Sequence, residues 1–382
     1  MRRGFRFVNL VQLIALTVLC HAGFHGARVA MSLSALHQGG SPFTVGLLMA
    51  LTAALPMLLG VATGRWTDRV GSRKPLVLSA TFVFAALLLP ALVSGLWPLF
   101  ITAAVGGTGM MAGQVALQNA VGAGSNPKQR AENFSHMALA MSISTFAGPL
   151  IAGLSIDHLG FRAAFALLAI LPLVSFAGFM RPSLRVPPPS PHADEHSDRN
   201  VFDLLGTRDL RRVYIASCLL ATGWDLHGFI VPVLGTQLGL SASQIGAILS
   251  VFAAAIFVIR IVMRWVVRRF REWEILKTSM FVAGAAYVLF PFAGSALQLT
   301  ALSFVLGLAL GAGQPVIMAL MHHITPEGRA GEALGLRTTL MNTSQVALPL
   351  MFGAVSASLG MTTVFWSVAI GLGAGGYLTG RR

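Results

Sequence analysis

Apolar runs of about twenty residues recur from one end of the chain to the other, and a helix needs about that length to cross the hydrocarbon core of a bilayer. They are expected as spans near 8–35, 43–63, 75–93, 97–123, 133–156, 161–180, 212–235, 242–263, 275–293, 297–323, 331–356 and 361–379. Composition supports lipid as the solvent: 55% of the 382 residues are hydrophobic and 10% are charged, against roughly 25% charged in soluble domains. The formal charge of +14 suggests nucleic acid only where bases gather on a soluble face. Here they fall between apolar runs, so no nucleic-acid partner is expected. Cys20 and Cys218 both sit inside apolar runs and read as small buried hydrophobes rather than a metal or disulfide framework.

The loops set an orientation, because Lys and Arg collect on the cytoplasmic side. Arg2, Arg3 and Arg6 precede the first span; Arg65, Arg69, Arg73 and Lys74 follow the second; Lys128 and Arg130 follow the fourth. Arg181, Arg185, Arg199, Arg208, Arg211 and Arg212 lie around the middle, Arg264, Arg268, Arg269 and Arg271 after the eighth span, Arg329 after the tenth, and Arg381 and Arg382 at the end. The alternate loops are nearly bare, with Arg162 the exception. Both termini are thus expected in the cytoplasm, with an even number of crossings. Twelve fits. The basic start is read as an uncleaved anchor.

An internal repeat at an offset of 200 residues divides the chain. Gly46 aligns with Gly246, Gly107 with Gly307, and Ala112-Gly113-Gln114 with Ala312-Gly313-Gln314. Glu132, Ser144, Pro149, Gly153, Gly160 and Phe165 align with Glu332, Ser344, Pro349, Gly353, Gly360 and Phe365. The expected fold is all-α and polytopic, with twelve transmembrane helices in two pseudo-symmetric six-helix halves, 1–180 and 212–382. A parallel repeat of this kind carries its site at the repeat interface near the midplane. Between the halves, 181–211 reads as a flexible cytoplasmic linker with Pro187-Pro188-Pro189 and Pro191. His192, Asp194, Glu195 and His196 there are charged linker residues before they are metal ligands.

The loop Gly64-Arg65-Trp66-Thr67-Asp68-Arg69-Val70-Gly71-Ser72-Arg73-Lys74 combines a glycine, an acid-base pair, a second glycine and a basic pair. A merely basic loop explains neither Asp68 nor the two glycines. The pattern resembles the signature loop of the major facilitator superfamily, a family of secondary transporters. Gly71 permits a tight turn, and Asp68 offers a carboxylate to a helix N-terminus or an arginine. The resemblance implies that Asp68, supported by Arg69 and Arg73, latches the cytoplasmic side in the outward-facing state. Its counterpart is degraded, with Arg268 opposite Asp68 and Arg271 opposite Gly71.

Ser144 to Gly153 looks like the glycine-proline motif of the drug/proton antiporter branch, carried by Gly148, Pro149 and Gly153, with Ser144 and Ala152 in two glycine positions. Small residues let helices approach closely in lipid, so helix packing alone also explains it. The arginine that antiporters of this family often carry in the fourth span is absent: Val105 and Gly106 precede Gly109-Met110-Met111-Ala112-Gly113.

Ionisable groups inside the membrane cost about 2.5–3.5 kcal/mol on insertion scales and default to functional hypotheses. Asp225 lies about 13 residues, roughly 20 Å at 1.5 Å per residue, into the seventh span. Its repeat partner is His25, and His21, His25 and Arg28 share one helical face. The resemblance implies that these four and His227 line a common cavity. Asp225 is then the expected proton-coupling site with His25 or Arg28 as partner; a static ion pair is the alternative. Gln114, Gln314, Gln118 and Asn119 are candidate substrate hydrogen-bond groups or interhelical ties, as are Asn342 and Gln345. Trp224 offers a stacking surface or packs. Arg260 and Arg264 lie near a span end and snorkel.

The expected activity is proton-coupled export of a small amphipathic or lipophilic molecule across the bacterial inner membrane by a monomer. Proton-coupled uptake of an organic anion, or a non-transporting receptor on the same fold, are the alternatives. No cofactor, metal or enzymatic chemistry is expected, and no nucleotide loop is present.

Overall fold

The computed structural model describes residues 7–124, 130–184, 186, 201–326 and 330–380. Arg2, Arg3, Arg6, Lys128, Arg185, Arg199, Arg329, Arg381, Arg382 and the set from His192 to His196 lie outside them.

Apolar composition makes helix the only economical conformation here, since in lipid each backbone polar group must be satisfied within its own segment. Eleven α-helices are found among the described residues: α1 (Phe7–His37), α2 (Pro42–Val70), α3 (Arg73–Leu92), α4 (Trp97–Gly124), α5 (Arg130–Met180), α6 (Arg208–Gln237), α7 (Ala242–Arg269), α8 (Glu272–Leu289), α9 (Ala296–Ile324), α10 (Ala330–Leu359) and α11 (Met361–Gly380). Two of the expected spans are merged in α5, which breaks at Gly160 (φ 80°, ψ 170°). Among the described residues ten stretches are long and apolar enough to cross a membrane, and the one in α5, of 45 residues, holds both spans expected there. Helix α10 is not among the ten; Arg337, Asn342 and Gln345 dilute its apolar face. The end of the expected linker is structured: Val201–Gly206 form a 3-10 helix with Leu204 buried, and α6 begins at Arg208 rather than 212.

Caps written in the sequence start several helices. The Ser41 hydroxyl accepts from the Thr44 amide of α2 (3.3 Å). Ser241 and Gln244 form a reciprocal box, Gln244 N–H to Ser241 Oγ (3.2 Å) and Ser241 N–H to Gln244 Oε1 (2.9 Å). Glu274 accepts from the Arg271 amide (3.1 Å) ahead of α8.

The chain forms two compact units. The first comprises the described residues of Met1–Gly39, Leu51–His196 and Ser241–Gly246. In it α1 packs along α5, and α3 lies against α4 and α5. The second comprises those of Gly40–Ala50, Ser197–Leu240 and Ala247–Arg382. In it α8 packs on α9 and α11, and α6 on α9, α10 and α11. Helix α2 contributes its N-terminal part, up to Ala50, to the second unit and α7 its first residues, up to Gly246, to the first, with the remainder of each in the other unit.

The 200-residue repeat reappears as packing. Gly107 of α4 meets the Thr52 carbonyl of α2, and Gly307 of α9 meets the Phe252 carbonyl of α7. Gly246 meets the Pro149 carbonyl and the Gly153 Cα in the first unit, and Gly46 meets the Pro349 carbonyl and the Gly353 Cα in the second. Large apolar side chains also face outward: Leu58 is 71% exposed and Ile370 72%. In water such residues would be an aggregation hazard; in acyl chains they are solvated.

Candidate functional site

The signature loop joins α2 to α3. Gly71 has φ 78°, a left-handed conformation that side chains with a Cβ rarely adopt, and it turns the chain so that Arg73 opens α3. Asp68 is half-buried and accepts a hydrogen bond from Asn119 Nδ2 of α4 (2.6 Å). Asn119 Oδ1 in turn accepts from the Ser72 hydroxyl (3.1 Å). The arginine fork of Arg73 donates to the Arg181 carbonyl just past α5 (2.7 Å). Arg69 and Lys74 are exposed. Gly64 has open space where a Cβ would stand, so packing in this conformation does not explain it. Of the two expectations for Asn119, substrate group or interhelical tie, the contacts are those of a tie: both ends of its amide hold Asp68 and Ser72.

Arg162, the exception in charge placement, caps α3. Its Nε donates to the Ala91 carbonyl (3.0 Å) and its terminal nitrogen to the Leu92 carbonyl (2.7 Å), two acceptors that a helix end leaves open.

Helix α1 carries His21, His25 and Arg28 toward one side. The two imidazoles stand edge to face at 6.4 Å. His21 is 3% exposed, and its Nε2 has no hydrogen-bond partner among the described residues. Behind this face lies the glycine-proline motif of α5. A Cβ on Gly148 would stand 2.6 Å from the Ala22 carbonyl oxygen, 2.7 Å from the Gly26 nitrogen and 3.0 Å from His25 Cβ. The close approach of α1 and α5 thus sets the backbone position of His25. One turn on, Pro149 and Gly153 receive the start of α7. Asp157 completes that contact: its two oxygens accept from the Ala242 and Ser243 amides (3.0 and 2.8 Å), a carboxylate cap from outside the capped helix. Residue 357, its repeat counterpart, is alanine. Gln114 is half-buried and Gln118 exposed on α4.

In the second unit, α6 carries Trp224 and Asp225, both half-buried. His227 is 1% exposed; its Nε2 is bonded to the Ser303 hydroxyl (2.9 Å), and its ring stacks on Phe252 (centroids 4.0 Å, 21°). The expectation that His227 lines a cavity with Asp225 is corrected: it is a packed, hydrogen-bonded side chain between α6, α7 and α9. Trp224 meets the same Phe252 edge to face at 5.2 Å. The buried Tyr287 of α8 donates to the Gly223 carbonyl and lies within electrostatic reach of Asp225. Gln314 is exposed on α9.

Arg337 was missed in the sequence. It is half-buried in α10, and its Nε donates to the Ser217 hydroxyl of α6 (2.7 Å). The rule that singled out Asp225, an ionisable group within an apolar span, applies to it equally. Among the described residues no three His, Cys, Asp or Glu side chains gather as a metal site.

Three kinds of similarity accompany this geometry. The model of the Major Facilitator Superfamily matches residues 13–214 and again 213–380. The multidrug resistance protein MdtG of Salmonella arizonae is 26% identical over 336 residues, covering 84% of this chain and 80% of that protein. MdtG of Salmonella typhimurium is 25% identical over the same coverage. Among solved structures, a POT family transporter in complex with a thioalcohol-conjugated peptide superposes with a TM-score of 0.79 at 14% identity, covering 96% of this chain and 94% of that one. The peptide transporter POT in complex with sulfate gives 0.79 at 16% identity, covering 99% and 95%. At these identities the solved structures speak for the fold alone. Signature loop, repeated packing and a family match along nearly the whole chain agree: this chain is a multi-pass membrane transporter, not an enzyme, and it belongs to the major facilitator superfamily.

Proposed function

We propose that the protein exports small amphipathic or lipophilic molecules across the bacterial inner membrane by alternating access, driven by inward proton flow. The observation that carries export is the similarity to multidrug resistance proteins over 84% of the chain, supported by Gly148, Pro149 and Gly153 in tight helix contact. Asp225 is the coupling carboxylate and His25 or Arg28 its partner. Desolvation raises a carboxyl pKa and a nearby cation lowers it, so alternate exposure to the two loads and releases a proton. His21 supports that partner, while Gln114, Gln118, Gln314 and Trp224 contribute to substrate binding. Asp68, held by Asn119, is the cytoplasmic latch, with both termini on that side. The halves 1–180 and 212–382, joined by 181–211, act as the moving parts of a monomer.

Proteoliposomes with an imposed pH or sodium gradient test this. A pool of lipophilic compounds and organic anions is added, and the lumen is analysed by mass spectrometry. Accumulation of lipophilic compounds against their gradient, driven by counter-flowing protons and indifferent to sodium, is the expected result. Accumulation of an organic anion moving with protons would replace export by uptake, and sodium dependence would overturn proton coupling.

A further inference from the structure

In a regular helix the His227 amide donates to the carbonyl four residues earlier, that of Gly223. The hydroxyl of Tyr287, from α8, reaches this backbone pair: it donates to the Gly223 carbonyl, and the His227 amide faces the same hydroxyl oxygen. The turn so held, Gly223 to His227, carries Asp225.

The hydroxyl is held there by its ring. Tyr287 is fully buried, stacked against Phe290 (centroids 5.6 Å, 30°) and tilted against Phe365 (6.3 Å, 37°). Its Cε2 would lie 3.5 Å from a Cβ on Gly223. The repeat separates packing from chemistry. In the first unit the equivalent of Tyr287 is Leu87, also fully buried, and the equivalent of Asp225 is His25. An apolar residue therefore fills this place in the fold, and the hydroxyl occurs in the half that carries the acid. Of the other titratable groups nearby, His227 is bonded to Ser303 and Arg337 of α10 to Ser217, about two turns before Asp225, while α7 carries the half-buried Arg260.

We infer that Tyr287 is a positioning residue for Asp225: its hydroxyl ties α8 to the Gly223 carbonyl and so fixes the α6 turn from which the carboxylate exchanges its proton. The inference rests on Asp225 being the coupling site. Removing the hydroxyl frees the turn, which changes the surroundings of the carboxylate.

The test uses Tyr287→Phe and Tyr287→Leu, the second being the residue of the other repeat, in the full-length protein. Gly223-Trp224 is the only glycine–tryptophan pair in the sequence, so carbonyl-13C glycine with 15N tryptophan gives a single carbonyl–amide correlation that reports Gly223. Both variants are expected to move that signal. Both should also shift the pH midpoint of proton-driven transport by about half a unit or more. An unmoved Gly223 signal overturns the tie. A moved signal with an unchanged pH profile overturns the positioning role. Proton-driven transport that survives in Asp225→Asn overturns the coupling reading itself, and the Gly223 signal remains a separate measure of the tie.

Discussion

Asn119 shows how one residue changes meaning once its partners are known. In the sequence it stands five positions after Gln114, about 140° around the helix at 100° per residue, whereas Gln118 is displaced by only about 40°. That phase already separates Asn119 from the glutamines, and the structure gives it Asp68 and Ser72 instead. His227 is separated the same way: two residues from Asp225 is about 200° around the helix, so the two cannot share a face. Helix phase made both outcomes legible. The partners themselves, 51 residues away for Asp68 and 76 for Ser303, were not, because no local pattern encodes a long-range hydrogen bond. If Asn119 holds the latch carboxylate, Asn119→Ala removes one charge-assisted bond, about 1.5 kcal/mol at a half-buried site. It should slow transport roughly tenfold, as should Asp68→Asn, with no further loss in the double variant. A fully additive loss in the double-variant kinetics would separate Asn119 from the latch.

At the scale of elements, glycine and proline positions decide which helices touch. Gly148 permits α5 to approach α1 at His25, and Pro149 and Gly153 seat the first turn of α7. Gly148→Leu places side-chain carbon where the α1 backbone now lies. Overpacking of this kind costs about 1–3 kcal/mol, so the melting temperature in detergent should fall clearly, while Ser144→Ala, which loses a local bond to the Met141 carbonyl (2.6 Å), should leave it nearly unchanged. The α7 contact adds Asp157, which the sequence placed in a loop without a role. Loss of a helix cap costs about 1 kcal/mol, so Asp157→Ala should raise amide hydrogen exchange at residues 242–246 about fivefold. Unchanged exchange there would mean that Ser241 and Gln244 suffice as the cap. The equivalent turn of α2 rests on Pro349 and Gly353 with Ala357 in place of an acid. Symmetry of the repeat therefore stops at the carboxylate.

For the whole molecule, apolar runs were enough to announce a helical membrane protein, because lipid leaves the backbone few alternatives. The repeat survives as matched helix contacts at an offset of 200 residues. The turn at Gly160 interrupts α5 between the two spans expected there, while polar side chains lower the apolarity of α10. On the proposed mechanism, Asp225 couples protons to substrate movement without being needed for substrate passage. The most direct test of this compares two assays on Asp225→Asn in proteoliposomes: exchange of labelled substrate at equal pH, and uphill export driven by a pH gradient. Exchange within about twofold of the unsubstituted protein, with uphill export reduced to background, is the predicted result. Undiminished uphill export would contradict it.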